Sequence, residues 1–178
     1  MRRRNLAVLF LLPVLSVAST DPVEQARGEV LAAYQHSLDA LRRADADGAL
    51  QIEAKDWTSI TVGQKPRTLQ EMEPFIRRDI AGMKPPPDWN VVWKPDYARN
   101  GTATGIQIYD FSMTADTAIA LCLVGDTHSE VVDGTEHRVW KGSHVRDTWI
   151  KTSAGWKRRM HEKLTVDELM IDGHPARL

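Results

Sequence analysis

The strongest constraint on the fold is a series of β-type segments that fills the second half of the chain. From residue 90 onward, segments rich in β-branched and aromatic residues follow one another, separated by Gly, Asn and Asp turns. The predicted strands are Asn90–Trp93, Gly105–Met113, Thr117–Asp126, Glu136–Lys151 and Trp156–Val166. Consecutive strands joined by short turns favour an antiparallel sheet.

The first half of the chain has mainly helical periodicity. Asp21, Pro22 and Glu24 form a capping pattern, and the buried stripe of the helix that follows comprises Val30, Ala33, Tyr34, Ser37, Leu38 and Leu41. We predict a short second helix over Ala49–Ala54, a strand over Trp57–Val62 and a third helix from Leu69 to about Met83. Helices followed by adjacent strands predict an α+β domain whose antiparallel sheet covers the helices on one face.

The first 19 residues stand apart from this pattern. Three arginines at positions 2 to 4 precede the apolar run Leu6–Val17, and small residues follow it. This layout predicts a secretory signal peptide over residues 1–19 and a single domain over residues 20–178. Because the apolar run is too short to span a bilayer comfortably, we expect an exported protein, periplasmic or secreted, with no stable membrane anchor after cleavage.

Charge and motif content argue against several classes of function. The leader carries three of the 23 basic residues and none of the 24 acidic ones, so the rest of the chain has a net charge of −4, which argues against a nucleic-acid partner. The histidines share no metal-ligand spacing, and the sequence has no Gly-rich phosphate loop. We therefore expect no metal and no cofactor. Cys122, the single cysteine, lies in an apolar run and is expected to be a buried, inert thiol.

The last two predicted strands carry the residues best suited to chemistry. Their connection, Thr152–Trp156, fits a three-residue loop with Gly155 in the left-handed region, which makes Thr152 oppose Trp156. Counting outward, one face gathers Asp147, Trp149, Arg159, His161 and Lys163. The other face gathers Ile150, Trp156, Met160 and Leu164 with Arg146, Arg158 and Glu162.

In this register Asp147 opposes His161. Opposed residues have Cβ atoms about 5 Å apart, so a buried Asp147 would orient the imidazole in the way a general base requires. Arg159 and Lys163 beside it would hold a carboxylate or an enolate. A period-two polar row is also typical of an ordinary solvated sheet face, and that alternative stays open.

The same region shows a family resemblance. Trp149 is followed seven residues later by Trp156, after Gly155, and then by a basic strand that contains His161. With LRRADADGAL over residues 41–50, this pattern resembles the nuclear transport factor 2-like superfamily, especially SnoaL-like domains and the association domain of calmodulin-dependent kinase. The resemblance runs from about residue 23 to residue 166. It implies N-terminal helices packed in a strongly curved antiparallel sheet, a cone with a pocket open at one end.

The resemblance also suggests site residues, although fold alone does not fix function. Lys163 falls at a basic pocket position of the kinase-associated members, whereas Asp147 stands where they carry arginine. Tyr34 lies where members point a polar residue into the cone, and Asp56 lies near a frequent acid–base position; a core tyrosine and a turn acid are the alternatives. Aromatic residues suited to lining an apolar cavity are Trp57, Trp93, Tyr109 and Trp149.

Three functions are consistent with the sequence. The leading hypothesis is an exported SnoaL-like domain that binds a small, partly apolar organic ligand in a cone-shaped pocket. The second is a cofactor-free isomerase, dehydratase or cyclase in which His161, oriented by Asp147, takes a proton next to a carbonyl while Tyr34 or Arg159 stabilises the oxyanion. The third is a non-catalytic homodimerisation module that uses the outer-face residues Ile150, Trp156 and Met160.

Overall fold

The structure is a computed structural model that describes residues 21–82, 88–95, 104–165 and 168–176. The predicted signal peptide over residues 1–19 lies outside these residues. In the described ranges, no helix is long and apolar enough to cross a membrane.

Three helices form most of the N-terminal part. They are α1 (Pro22–Arg42), α2 (Ala46–Leu50) and α3 (Leu69–Gly82). The α1 helix begins as predicted, because the Asp21 side chain accepts a hydrogen bond of 2.9 Å from the Val23 N–H and Pro22 opens the first turn. Its buried face consists of Ala26, Val30, Tyr34, Leu38 and Ala40.

The remaining elements of the described chain form one curved sheet. Its strands are β1 (Glu53–Ile60), β2 (Arg67–Thr68), β3 (Asn90–Trp93), β4 (Gly105–Thr114), β5 (Thr117–Val132), β6 (Thr135–Thr152), β7 (Gly155–Lys163), β8 (Glu168–Ile171) and β9 (His174–Ala176). The order is β2-β1-β7-β6-β5-β4-β3, with β8 beside β6 and β9 beside β8. The α+β class is therefore confirmed. The sheet is not purely antiparallel, because β1 pairs with β7 and β3 pairs with β4 in parallel.

The helix α1 packs on the sheet through the main core. Val30 and Tyr34 of α1 meet residues from β4, β5, β6 and β7, among them Ile108, Phe111, Ala120, Cys122, Val145, Trp149 and Trp156. Cys122 is free and fully buried, as predicted, and burial raises the pKa of its thiol well above the usual range. Apolar burial from both sides thus fixes α1 against the sheet.

The segment after α1 differs from the predicted one. The Asp45 side chain accepts a 2.9 Å hydrogen bond from the Gly48 N–H, so this cap starts α2 at Ala46, three residues before the predicted start. The helix ends at Leu50, and β1 begins at Glu53 instead of Trp57. Glu53 therefore lies in the sheet rather than in a helix, and its side chain can reach the interior.

The turn between β6 and β7 also differs from the predicted loop. Thr152 pairs with Gly155, which leaves a two-residue loop. The Thr152 hydroxyl tightens this turn, since it donates to the Gly155 carbonyl at 2.7 Å and accepts from the Ala154 N–H at 3.2 Å. Gly155 has the predicted positive φ, +95°. The pairing next to the turn is consequently one residue out of the predicted register, with Trp149 opposite Arg158.

A β-bulge at Arg159 restores the predicted register further along the hairpin. Thr148 pairs with Met160 and Asp147 pairs with His161, so Arg159 is the extra residue of β7. Two predicted orientations are therefore wrong. Trp156, expected on the outer face, is 6% exposed in the core, and Arg158 points inward where Arg159 was expected.

The bulge predicts how the hairpin responds to shortening. Deleting either residue of the Arg158–Arg159 pair gives the same sequence and removes the extra residue. We expect this variant to fold with Asp147 still opposite His161, because the two-residue loop alone then sets that register. Cross-strand nuclear Overhauser contacts between β6 and β7 would report the register of the two strands. Deletion of both arginines is the contrasting variant, and it should place His161 opposite Thr148 on the outer face. If this double deletion keeps the Asp147–His161 contacts, the assignment of the bulge to Arg159 is wrong.

Candidate active site

Asp147 is the centre of a polar cluster inside the cone. It lies on β6, is 1% exposed, and receives three side chains from different elements. Tyr34 of α1 donates its hydroxyl hydrogen to Oδ2, and Arg158 Nη1 donates to the same oxygen at 3.1 Å. His161 Nδ1 lies 2.7 Å from Oδ1. Both carboxylate oxygens are therefore engaged, as a buried charge requires.

Arg158 links Asp147 to a second buried carboxylate. Its Nε donates to Glu53 Oε2 at 3.1 Å, and its Nη2 donates to Oε1. The side chains of Arg158 and Glu53 are only 16% and 4% exposed. This bidentate pair ties β1 to β7, and the contact with Asp147 extends it to β6.

The network fixes the charge states of its members. Burial alone would raise the pKa of Asp147, but the charges of Arg158 and His161 and the hydrogen bonds from His161 and Tyr34 outweigh burial and hold that pKa well below its usual range. Burial works against charge on Arg158 too, yet Glu53 and Asp147 raise its pKa well above the ordinary value. Burial and the Asp147 charge raise the pKa of Tyr34. Asp147 is thus an anion, Arg158 a cation and Tyr34 a neutral phenol.

His161 is the exposed end of the cluster. Its side chain is 29% exposed, whereas that of Asp147 is 2% exposed. Because ionised Asp147 can only accept, the imidazole proton lies on Nδ1, and Nε2 of the neutral ring carries the free lone pair. Within the described ranges, the hydrogen bonds of His161 involve Nδ1 alone. The ring is therefore held at one nitrogen and available at the other.

Arg159 and Asp56, two other predicted site residues, lie away from Asp147. Arg159 Nε contacts Asp56 Oδ2 at 2.8 Å, and both side chains are more than half exposed. The bulge turns Arg159 outward, so the placement of Arg159 beside Asp147 was wrong. Lys163 is opposite Val145 near the end of β7, as predicted.

The predicted aromatic lining is divided among several environments. Trp149 is fully buried and packs edge-on against Tyr34, with ring centroids 4.8 Å apart, so it forms part of the core behind Asp147. Trp57 is also buried. Trp93 lies under the Arg27 guanidinium, with the centroid of its ring 4.2 Å from Arg27 Cζ. Tyr109 packs with a separate cluster and contacts His144 through its hydroxyl at 3.2 Å. Tyr109 therefore does not belong to the Asp147 cluster.

The described residues offer no metal site here, and the groove beside α1 lies apart from this cluster. In the described part of the chain, no group of three or more His, Cys, Asp or Glu side chains is arranged to hold a metal ion. One surface groove lies between α1 and the β6–β7 turn, where Glu29, His36 and Lys151 line it. A ligand that meets the cluster would approach it from the exposed side of His161.

Sequence reasoning missed Arg158 and Glu53. Arg158 follows Trp156 with one residue between them, so its inward direction depends on the direction of Trp156, which the wrong loop length reversed. Glu53 was assigned to a helix. Adjacent residues of any regular strand face opposite sides of the sheet, so the two consecutive arginines gave no signal for the bulge.

The adjacent arginines provide a matched pair for a stability test. Replacement of Arg158 by Met leaves two buried carboxylates without their cation, and we expect a loss of about 3–5 kcal/mol in the free energy of unfolding. Replacement of Arg159 by Met breaks only an exposed ion pair and should cost no more than about 1 kcal/mol. Urea unfolding of both variants measures the difference, and equal losses would contradict the inward position of Arg158.

The lowered pKa of Asp147 predicts how stability depends on pH. An unfolded aspartate has a pKa of about 3.9, so the ionised side chain stabilises the folded chain above that value, and the contribution is lost as the pH falls towards the folded pKa. Asp147→Asn should therefore destabilise the protein most at neutral pH and progressively less below about pH 4. Urea unfolding at several pH values measures the difference in the free energy of unfolding between the wild type and the variant. Replacement of Asp110, which is exposed, by Asn is the control. If this difference does not change with pH, Asp147 is uncharged in the folded protein.

Comparison with known proteins identifies the fold. No protein-family model and no curated protein matches the sequence. Among solved structures, a protein from Kribbella flavida is 16% identical over 82% of this chain and 94% of its own, with a TM-score of 0.53. A conserved protein from Planctomyces limnophilus is 12% identical over 81% of this chain and 98% of its own, with a TM-score of 0.52. An NTF2-like protein with a cystatin-like fold from Novosphingobium aromaticivorans is 18% identical over 79% of this chain and 81% of its own, with a TM-score of 0.48. At these identities the likeness is one of fold alone, and the chain shares with the first two proteins its α+β architecture of helices against a large curved sheet, the class that its sequence predicted.

Proposed function

We propose that this chain is an exported domain that binds a small, partly apolar organic carbonyl compound beside His161 and transfers a proton on it without a cofactor. The observation that carries the proposal is the 2.7 Å contact between Asp147 Oδ1 and His161 Nδ1, made by a buried carboxylate and a partly exposed ring. An ordinary solvated sheet face would expose both groups. Export is inferred from the leader-like residues 1–19.

The geometry suits His161 as a general base. Asp147 fixes the ring orientation and the tautomer, and Asp147 is itself fixed by Tyr34 and Arg158. Nε2 can then accept a proton from a carbon next to a carbonyl group. The electron pair of the broken C–H bond forms a carbon–carbon double bond, and the carbonyl π electrons move onto oxygen. If the proton on Nε2 is first replaced by one from solvent, reprotonation of the same carbon gives exchange, and delivery of the proton to another carbon of the enolate system gives isomerisation.

The surroundings suit a molecule with an apolar body. The concave side of the sheet that carries Asp147 is mainly apolar, and its buried part, which includes Phe111 and Ala120, is covered by α1. The ligand is proposed to lie beyond that part, next to His161. The homodimer hypothesis is less well supported, because Trp156, one of its three outer-face residues, is buried inside the fold. We therefore propose that the ligand binds on the concave side of the sheet, beside His161.

Hydrogen–deuterium exchange tests the proposal without knowledge of the natural ligand. The protein is incubated in D₂O with cyclohexanone, β-indanone or β-tetralone, which are cyclic ketones of increasing size with exchangeable protons next to the carbonyl. We expect faster exchange than in buffer for at least one ketone. His161→Gln should reduce the acceleration by at least about a hundredfold, because it removes the base.

His128→Gln is the matched control, since this histidine is about half exposed at the far end of β5. The His128→Gln variant should accelerate ketone exchange as much as the wild type does. Absence of acceleration with all three ketones would overturn the proposed function, and so would full activity of His161→Gln.

A further inference from the structure

We infer that Ser59 is a second substrate-contacting residue, whose hydroxyl donates a hydrogen bond to the carbonyl oxygen of the molecule on which His161 acts. This inference rests on the proposed function. It assigns the role of oxyanion donor, which proton removal next to a carbonyl requires, because negative charge then develops on that oxygen.

Of the donors expected from the sequence, Tyr34 and Arg159 are not available for this role, and Lys163 lies two positions further along β7, opposite Val145. Tyr34 donates its one hydroxyl hydrogen to Asp147. Arg159 lies outside the cone with Asp56. Arg158, the residue that takes the inward position instead, divides its donors between Asp147 and Glu53. Tyr34 and Arg158 are thus held inside the network and Arg159 lies outside the cone, which leaves the position beside His161 Nε2 to another donor.

Strand register places Ser59 next to His161. Cα-paired positions cross the sheet from β2 to β4 in one row: Arg67, Ser59, His161, Asp147, Ala120 and Phe111. Paired positions of neighbouring strands share a face of the sheet, about 5 Å apart. Ser59 is therefore on the concave face and adjacent to His161 on the side away from Asp147.

The Ser59 hydroxyl is in a state suited to binding. The residue is half-buried, and among the described residues no hydrogen bond uses its hydroxyl. Trp57, two residues earlier on β1, is buried. Thr58 points to the opposite face, where it pairs with Thr68 and Met160. The uncommitted hydroxyl and the uncommitted Nε2 thus lie side by side at the exposed end of the cluster.

Two neighbouring hydroxyls on opposite faces provide the matched test. Ser59→Ala removes the proposed donor, Ser59→Thr keeps a hydroxyl at the same position, and Thr58→Ala removes a hydroxyl from the outer face. In the ketone exchange assay we expect Ser59→Ala to lower the maximal rate by about a hundredfold, as loss of one oxyanion donor does elsewhere. The half-saturating ketone concentration should rise only a few-fold, because the hydrogen bond to the neutral carbonyl is weaker than the bond to the oxyanion of the transition state. Ser59→Thr should recover part of the rate, and Thr58→Ala should match the wild type.

A binding measurement separates this inference from the proposed function. Titrations followed by the His161 ring signals compare β-tetralone with tetralin, which has the same carbon skeleton without the carbonyl. The ratio of the two affinities should favour the ketone less in Ser59→Ala than in the wild type. If the wild type exchanges and Ser59→Ala matches it in rate and ratio, the Ser59 role is wrong and the proposed function stands. If nothing exchanges but the ratio falls in Ser59→Ala, proton transfer is wrong and the Ser59 contact stands. If there is neither exchange nor a change in ratio, both are overturned.

Discussion

The buried interaction of Arg158 with Asp147 and Glu53 is the constraint on which the site depends. One guanidinium holds two carboxylates that are almost inaccessible to water, on strands β6 and β1. A buried ion pair is weak evidence for stability in itself, because desolvation offsets most of the attraction. Its clearer effect is positional: the cation keeps Asp147 ionised, and an ionised Asp147 fixes the proton of His161 on Nδ1. The chemistry proposed at Nε2 therefore depends on the charge of Arg158, which does not itself contact His161.

This arrangement requires both a tight turn and a bulge. With a two-residue loop alone, Arg158 would face inward but Met160 would oppose Asp147, as the pairing near the turn shows. The extra residue, Arg159, shifts the rest of β7 by one position and brings His161 opposite Asp147. One strand can thereby present Arg158 and His161, three residues apart, on the same face. Strict alternation would place them on opposite faces.

The parts that could be predicted from sequence are those governed by local rules. The start of α1 follows from Asp21 and Pro22, and its buried stripe follows from helical periodicity, so Tyr34 was correctly placed in the interior. The pairing of Asp147 with His161 was also predicted, although from a three-residue loop that the chain does not have; two errors of one residue, in the loop and in the missing bulge, cancelled. Arg158 and Glu53 were missed because bulges and the start of β1 depend on tertiary contacts that no short window of sequence contains.

The cluster also explains why its most conspicuous groups are poor candidates for direct chemistry. A buried polar group must be satisfied within the fold, and once Tyr34 and Arg158 satisfy Asp147 they have little left for a ligand. Groups that act on a ligand must instead retain an unused donor or acceptor and some exposure. In the row across the sheet, His161 Nε2 and the Ser59 hydroxyl meet both conditions, one as an acceptor and the other as a donor. Proton removal beside a carbonyl needs that combination, because one atom of the substrate loses a proton while another gains negative charge.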